Sequence, residues 1–184
     1  GGFTGEYREF DYFVSYQLGN FRVALWDIYN FSSYMPEGSI FDYDPLTTNH
    51  FIDLTFAYNF GEKFPLDVSM STIVHGRDRS DYLDLTDPEN PQAIRREDDR
   101  YSTYVQLTYP VYQRDITVKA FVAGAASLAG YRGHFYGEGL SIVNLGLEVS
   151  KEITPFNYRL PVSATAIWNP EAKFGAVQIA ASLF

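Results

Sequence analysis

The chain has 184 residues, 17% of them aromatic (15 Tyr, 15 Phe and 2 Trp), which is the length of one domain and a high aromatic load for a soluble one. A formal net charge of -9 leaves no basic patch to neutralise phosphates, so nucleic acid is not an expected partner. The absence of cysteine rules out a disulfide framework and any thiolate metal site, and no apolar run approaches the ~18 residues of a transmembrane helix.

Alternation of apolar and polar residues predicts nine strands. The first covers 9–18, with Phe10, Tyr12, Val14, Tyr16 and Leu18 on one face and Asp11, Phe13, Ser15 and Gln17 on the other. Gly19-Asn20 supplies a tight turn, since both residues tolerate positive φ. The second strand covers 21–31. Its alternation breaks at Trp26, Asp27 and Ile28, where a β-bulge is expected. The third, 51–60, sets Ile52, Leu54, Phe56, Tyr58 and Phe60 against Asp53, Thr55 and Asn59. After the turn at 61–65, the fourth covers 66–75, with Leu66, Val68 and Met70 against Asp67, Ser69 and Ser71.

The fifth strand, 101–112, places Val105, Leu107 and Tyr109 opposite Tyr104, Gln106 and Thr108. The sixth, 115–126, has Val118, Ala120 and Val122 on the apolar side and Thr117 and Lys119 on the polar side. The seventh, 141–153, has Val143, Leu145, Leu147 and Val149 against Asn144, Glu148 and Ser150. The eighth, 158–168, has Leu160, Val162, Ala164 and Ala166 against Arg159, Ser163 and Thr165. The ninth, 174–184, ends the chain on Phe184. Each length suits a tilted crossing of a bilayer.

Short turns follow the first, third, fifth and seventh strands, and long loops follow the second, fourth and sixth (32–50, 76–100 and 127–140). Outer-membrane barrels have short periplasmic turns and long external loops. The reading is therefore an all-β, antiparallel, up-and-down transmembrane barrel formed as one domain over 1–184, with 1–8 a loop entering the first strand. Nine is odd, whereas single-chain bacterial barrels have even counts, and an unpaired sheet edge in lipid is costly. One or three N-terminal strands are therefore expected to be missing or supplied by another chain. The opening GGFTGEYRE is no signal peptide, so a processed or truncated chain is expected.

The phrases LGNFRVALWDIYNF, AYNFGEKFPLDVSMSTIVHGRD, YSTYVQLTYPV, VNLGLEVSKEI and LPVSATAIWNPEA, in that order, resemble a group of Gram-negative outer-membrane proteins, porins of the TorF type. The resemblance runs from about Glu9 onward and rests on the order of the phrases, not on one motif. It implies a twelve-stranded barrel with three strands before 9–18, and it brings no catalytic residues. Val177, Ile179, Ala181 and Leu183 form the apolar set of the last strand, which puts Phe184 out of phase with the pattern of those relatives.

The polar face carries Asp11, Asp53, Asp67 and Glu148 against Arg22, Lys119 and Arg159. These are the candidate lumen-lining residues, either as a charged constriction or as a lumen plugged by paired charges. Asp78, Asp81, Asp84 and Asp87 invite a calcium reading, but the EF-hand spacing is absent. A solvated acidic loop, or one bridged loosely to lipopolysaccharide by divalent cations, is the favoured reading, and the neighbouring 95–100 run is read as solvated too. Ser71 and His75 share a strand at a separation of about 13 Å, too far for a hydrolase dyad. Tyr58, Phe60, Tyr109, Tyr112 and Trp168 are read as interfacial anchors.

The expected function is a non-enzymatic, cofactor-free pore for small polar solutes or ions, with weak cation preference, in the bacterial outer membrane. Its partners would be outer-membrane lipid, lipopolysaccharide and other envelope proteins. A non-conducting accessory subunit of a larger complex is the second reading, and a soluble ligand-binding barrel the third.

Overall fold

The computed structural model describes residues 7–33, 35, 38–84 and 92–182. Asp87, Leu183, Phe184 and residues 1–6 lie outside them. The molecule is built on one antiparallel nine-stranded sheet made of β1 (Glu9–Leu18), β2 (Phe21–Asn30), β3 (His50–Asn59), β4 (Asp67–Gly76), β7 (Ser102–Gln113), β8 (Thr117–Ser127), β11 (Ser141–Ile153), β12 (Leu160–Asn169) and β13 (Phe174–Ala181). Each strand pairs with the next in chain order, as an up-and-down meander requires. The sheet is open: β1 and β13 are its edges and do not pair with each other.

The strands form where the period-2 pattern places them. Asp67↔Thr108, Ser69↔Gln106 and Ser71↔Tyr104 align polar residues across β4 and β7, and Val68↔Leu107 and Met70↔Val105 align apolar ones. A one-residue slip would reverse both sets, so the pattern fixes the register. The polar face is the concave one, because Arg22, Asp53, Ser71, Tyr104 and Asn144 from five strands line a single cavity. The convex face exposes the apolar set: Val14, Leu18, Leu107, Leu147, Val177 and Ile179 are all exposed.

Three bulges shift the register of the nine-stranded sheet, and none lies in β2. The pairings of β2 with β1 and β3 run without a break, so the bulge expected at Trp26–Ile28 is absent. Asp27 instead stays in phase on the convex face, and other side chains satisfy it. The bulges fall at Val74, opposite Ile52/Asp53, at Val111, beside Pro110, and at Val143, between Ile142 and Asn144. Pro110 has no N–H to give the ladder, which favours a local irregularity there. Val143, expected on the apolar outside, is 1% exposed: the bulge removes it from the alternation.

Two long loops carry strands of their own. β5 (Arg79–Asp84) pairs with β6 (Gln92–Asp99), and β9 (Gly133–His134) with β10 (Gly137–Glu138). The loop after β4, read as a solvated acidic segment, is thus an ordered hairpin at its base. A short 3-10 turn, Pro155–Asn157, joins β11 to β12.

Candidate functional site

The concave face receives six of the seven predicted lumen residues. Asp11, Arg22, Asp53, Asp67, Lys119 and Glu148 all fall in strands and share that face by register. Arg159 precedes β12 and lies at the rim, 3.6 Å from Glu152, with both side chains largely exposed. Asp67 accepts a bond from Asn59 Nδ2–H at 2.5 Å. Lys119 and Glu148 stand directly opposite on β8 and β11, yet among the described residues they form no ion pair within 4.0 Å. The acidic and basic residues therefore do not cancel pairwise along this face.

The hairpin β9–β10 folds onto the concave face instead of standing off in solvent. Phe135 packs edge-on against Phe51 at 5.0 Å, and Tyr136 lies 5.3 Å from Tyr104. A chain of hydrogen bonds seats the hairpin. Asp78 accepts Ser102 N–H and Ser102 Oγ–H, both at 2.6 Å, and Ser102 Oγ accepts Phe135 N–H at 2.8 Å. At the hairpin turn His134 accepts Tyr136 N–H at Nδ1, so its proton sits on Nε2 and is donated to the Gly139 carbonyl at 2.7 Å. Burial first, and the Asp53 carboxylate second, push the Tyr136 hydroxyl above its usual range and keep it a neutral phenol.

Asp78 is thus a buried structural carboxyl group, not a solvated one. Burial raises its carboxyl above the usual range, partly offset by the two Ser102 bonds. Asp99, in the run read as solvated, faces Arg79 at 3.3 Å with both side chains mostly buried. No group of three or more His, Cys, Asp or Glu side chains gathers in metal-binding geometry among the described residues. Ser71 and His75 lie on opposite faces: Ser71 meets Thr55 at 2.7 Å, and His75 contacts the Tyr43 carbonyl at 3.1 Å.

A second polar cluster stands on the convex face at the end of the sheet nearest the loop 31–49. Asp27 Oδ1 meets His50 Nδ1 at 2.5 Å, and Asp27 Oδ2 accepts the hydroxyls of Tyr12 at 2.5 Å and Tyr43 at 2.7 Å. His50 is fully buried, stacked on Tyr43 at 4.3 Å, and its Nε2–H donates to the Ile40 carbonyl at 3.0 Å. Bonding to Tyr12 and then to Asp27 raises the Tyr43 hydroxyl above its usual range. The loop therefore folds down over β2 and β3 and covers the one carboxylate that breaks their apolar pattern. The parity break at Asp27 was the sequence signal for this cluster, although alternation alone suggests a bulge. The aromatic-rich stretch Tyr131–Tyr136 was the corresponding signal for the inner hairpin.

At the opposite end of the sheet the rings of Tyr58, Phe60, Phe64 and Tyr109 make a continuous chain, with centroids 4.9, 5.9 and 6.3 Å apart. Tyr112 and Trp168 are also exposed, Trp168 at the other rim. Compared with known proteins, the chain matches no family model, no curated protein and no solved structure.

Proposed function

We propose that this chain supplies nine consecutive strands of an outer-membrane β-barrel that passes small polar solutes, similar to porins of the TorF type. The observation that carries the proposal is the division of the sheet into two faces. The concave face is polar and charged, and the convex face is mainly apolar, with exposed aromatic rings at both rims and its one polar cluster, around Asp27, covered by a loop. A soluble sheet buries its apolar face; a membrane barrel turns it toward lipid and keeps water inside. Eight of the nine strands have ten or more residues, long enough for a tilted crossing.

Closure of the barrel is part of the proposal. The edges β1 and β13 present unpaired N–H and C=O groups, which hydrocarbon does not tolerate. Further strands must bridge them, and three would give the even count of twelve. Those strands come from the same polypeptide or from another chain. The open edges are the observation that also favours the accessory-subunit reading, in which another chain supplies those strands and the barrel belongs to a larger envelope complex.

In the pore reading, solutes meet a lumen narrowed from inside by β9–β10 and lined by uncancelled charges of both signs. Selection follows from lumen width and from the fixed charges, with the acid excess favouring cations. The chain with all its native strands, reconstituted in planar bilayers, is expected to give discrete conductance steps with cations carrying more current than anions. Correctly folded protein without such steps leaves only the accessory-subunit reading.

A further inference from the structure

We propose that Asp53, walled by Trp26, Tyr104 and Tyr136, is a recognition subsite for small organic ammonium ions in the lumen. The proposal rests on the pore reading and names the solute class that this lumen favours. Asp53 is 6% exposed and lies between two cavities, of about 460 and 680 Å³, with Tyr136 and Ile28 also bordering both. Its polar contacts are hydroxyls: Thr55 Oγ1–H donates to Oδ1 at 2.7 Å, and Ser71 backs Thr55 at 2.7 Å. Among the described residues it has no ion-pair partner. Arg22 and Arg77 each border one cavity but make no ion pair with it, and Arg77 donates to Asn49 Oδ1 at 3.0 Å. A carboxylate this deeply buried is ordinarily met by a cation. Here the position a cation would take opens into the solute path.

The walls select the kind of cation. Trp26 is held flat by Phe13, stacked at 4.2 Å, and Tyr104 and Tyr136 stand 5.3 Å apart at a tilt. Aromatic faces attract alkylated ammonium groups, which carry a diffuse charge and little hydration. Divalent metal ions need several oxygen or nitrogen ligands, and no cluster of three or more acidic, His or Cys side chains forms here among the described residues. The bulge at Val74 falls opposite Ile52 and Asp53, and bulges are over-represented next to functional sites.

The test uses the protein with all its strands folded in detergent, carrying Trp168→Phe and Phe in place of any tryptophan in the remaining strands, so that Trp26 is the sole tryptophan reporter. Tetramethylammonium chloride is titrated against potassium chloride at equal ionic strength, and folding is checked by heat-modifiable gel migration. The expected result is a saturable change in Trp26 emission with tetramethylammonium and none with potassium. Asp53→Asn should weaken the apparent affinity about tenfold and Tyr136→Leu several-fold, in keeping with a cation held by charge and ring face together. Asp115→Asn, in the turn between β7 and β8, should leave it unchanged. If Asp53→Asn does not fold, Tyr136→Leu and the potassium comparison decide. No response, an equal response to potassium, or full affinity in both lumen variants overturns the proposal. Bilayer recording on the same preparation separates the two readings: binding without conductance upholds the subsite and removes the pore, whereas conductance without binding removes the subsite alone.

Discussion

Gly146 on β11 lies beneath the Phe121 ring on the concave face, and an added Cβ would stand 2.6 Å from the Ala166 carbonyl oxygen as well as against that ring. A side chain there must push either the ring or the paired backbone of β12. Gly146→Ala is therefore expected to destabilise the protein by about 1–3 kcal/mol, read as a lowered urea midpoint in lipid vesicles. Gly175→Ala, where the nearest atoms are 3.5 Å away, should be close to neutral. Asp78 makes a pH prediction at the same scale. Its folded-state pKa is raised above the unfolded 3.8, chiefly by burial, so the folded chain holds this proton at a higher pH than the unfolded one. Its ionisation then opposes folding at neutral pH, and that cost is relieved as pH falls through the folded pKa toward 3.8. Equilibrium unfolding of the parent and of Asp78→Asn should show the stability difference moving in favour of the parent on acidification. A difference independent of pH would show that burial does not shift this group. Neither effect is visible in the sequence, because both depend on what another strand or loop lays over the residue.

The loop 31–49 and the hairpin β9–β10 both fold back onto the sheet, on opposite faces. The first is held by His50 and Tyr43 around Asp27, the second by Ser102 and Asp78. Removing the fully buried His50 ring leaves Asp27 and the Ile40 carbonyl short of a partner, a loss of about 1–3 kcal/mol. In His50→Ala, amide hydrogen exchange should quicken across 40–48 while the ladder of β7, β8 and β11 stays protected; uniform loosening of the sheet would contradict a local latch. The nine main strands were legible because each repeats a two-residue period over eight to thirteen residues, and their ends agree with the pattern to within two residues except in β13, which ends at Ala181. The four short strands were not, since Arg79–Asp84 and Gln92–Asp99 read as charged loop and the β9 and β10 strands have two residues each.

For the whole molecule, the proposed membrane reading puts lipid on the convex face, and the two tryptophans of the chain test that separately. Trp168 is exposed on the convex face, whereas Trp26 is stacked on Phe13 and lines the concave-face cavity. In vesicles containing brominated lipid, Trp26→Phe protein should lose most of the Trp168 emission, and Trp168→Phe protein should keep that of Trp26. The reverse pattern, or equal quenching, would place hydrocarbon on the wrong side of the sheet and remove the membrane reading.

The sequence alone was enough for the nine long strands, their antiparallel order and the polarity of each face, because a period of two leaves each side chain only two directions. It also marked Asp11, Arg22, Asp53, Asp67, Lys119 and Glu148 as sharing one side. Only the tertiary structure decided which of those charges stand alone, since pairing depends on curvature and on what the loops bring in. Asp53 and Asp27 illustrate the difference: both are strand carboxylates, yet one is met by a histidine and two tyrosines from elsewhere in the chain, and the other opens into the cavities between Trp26 and Tyr136. The reason is physical: alternation is a local property of the backbone, whereas satisfaction of a buried charge is a property of its non-local neighbours.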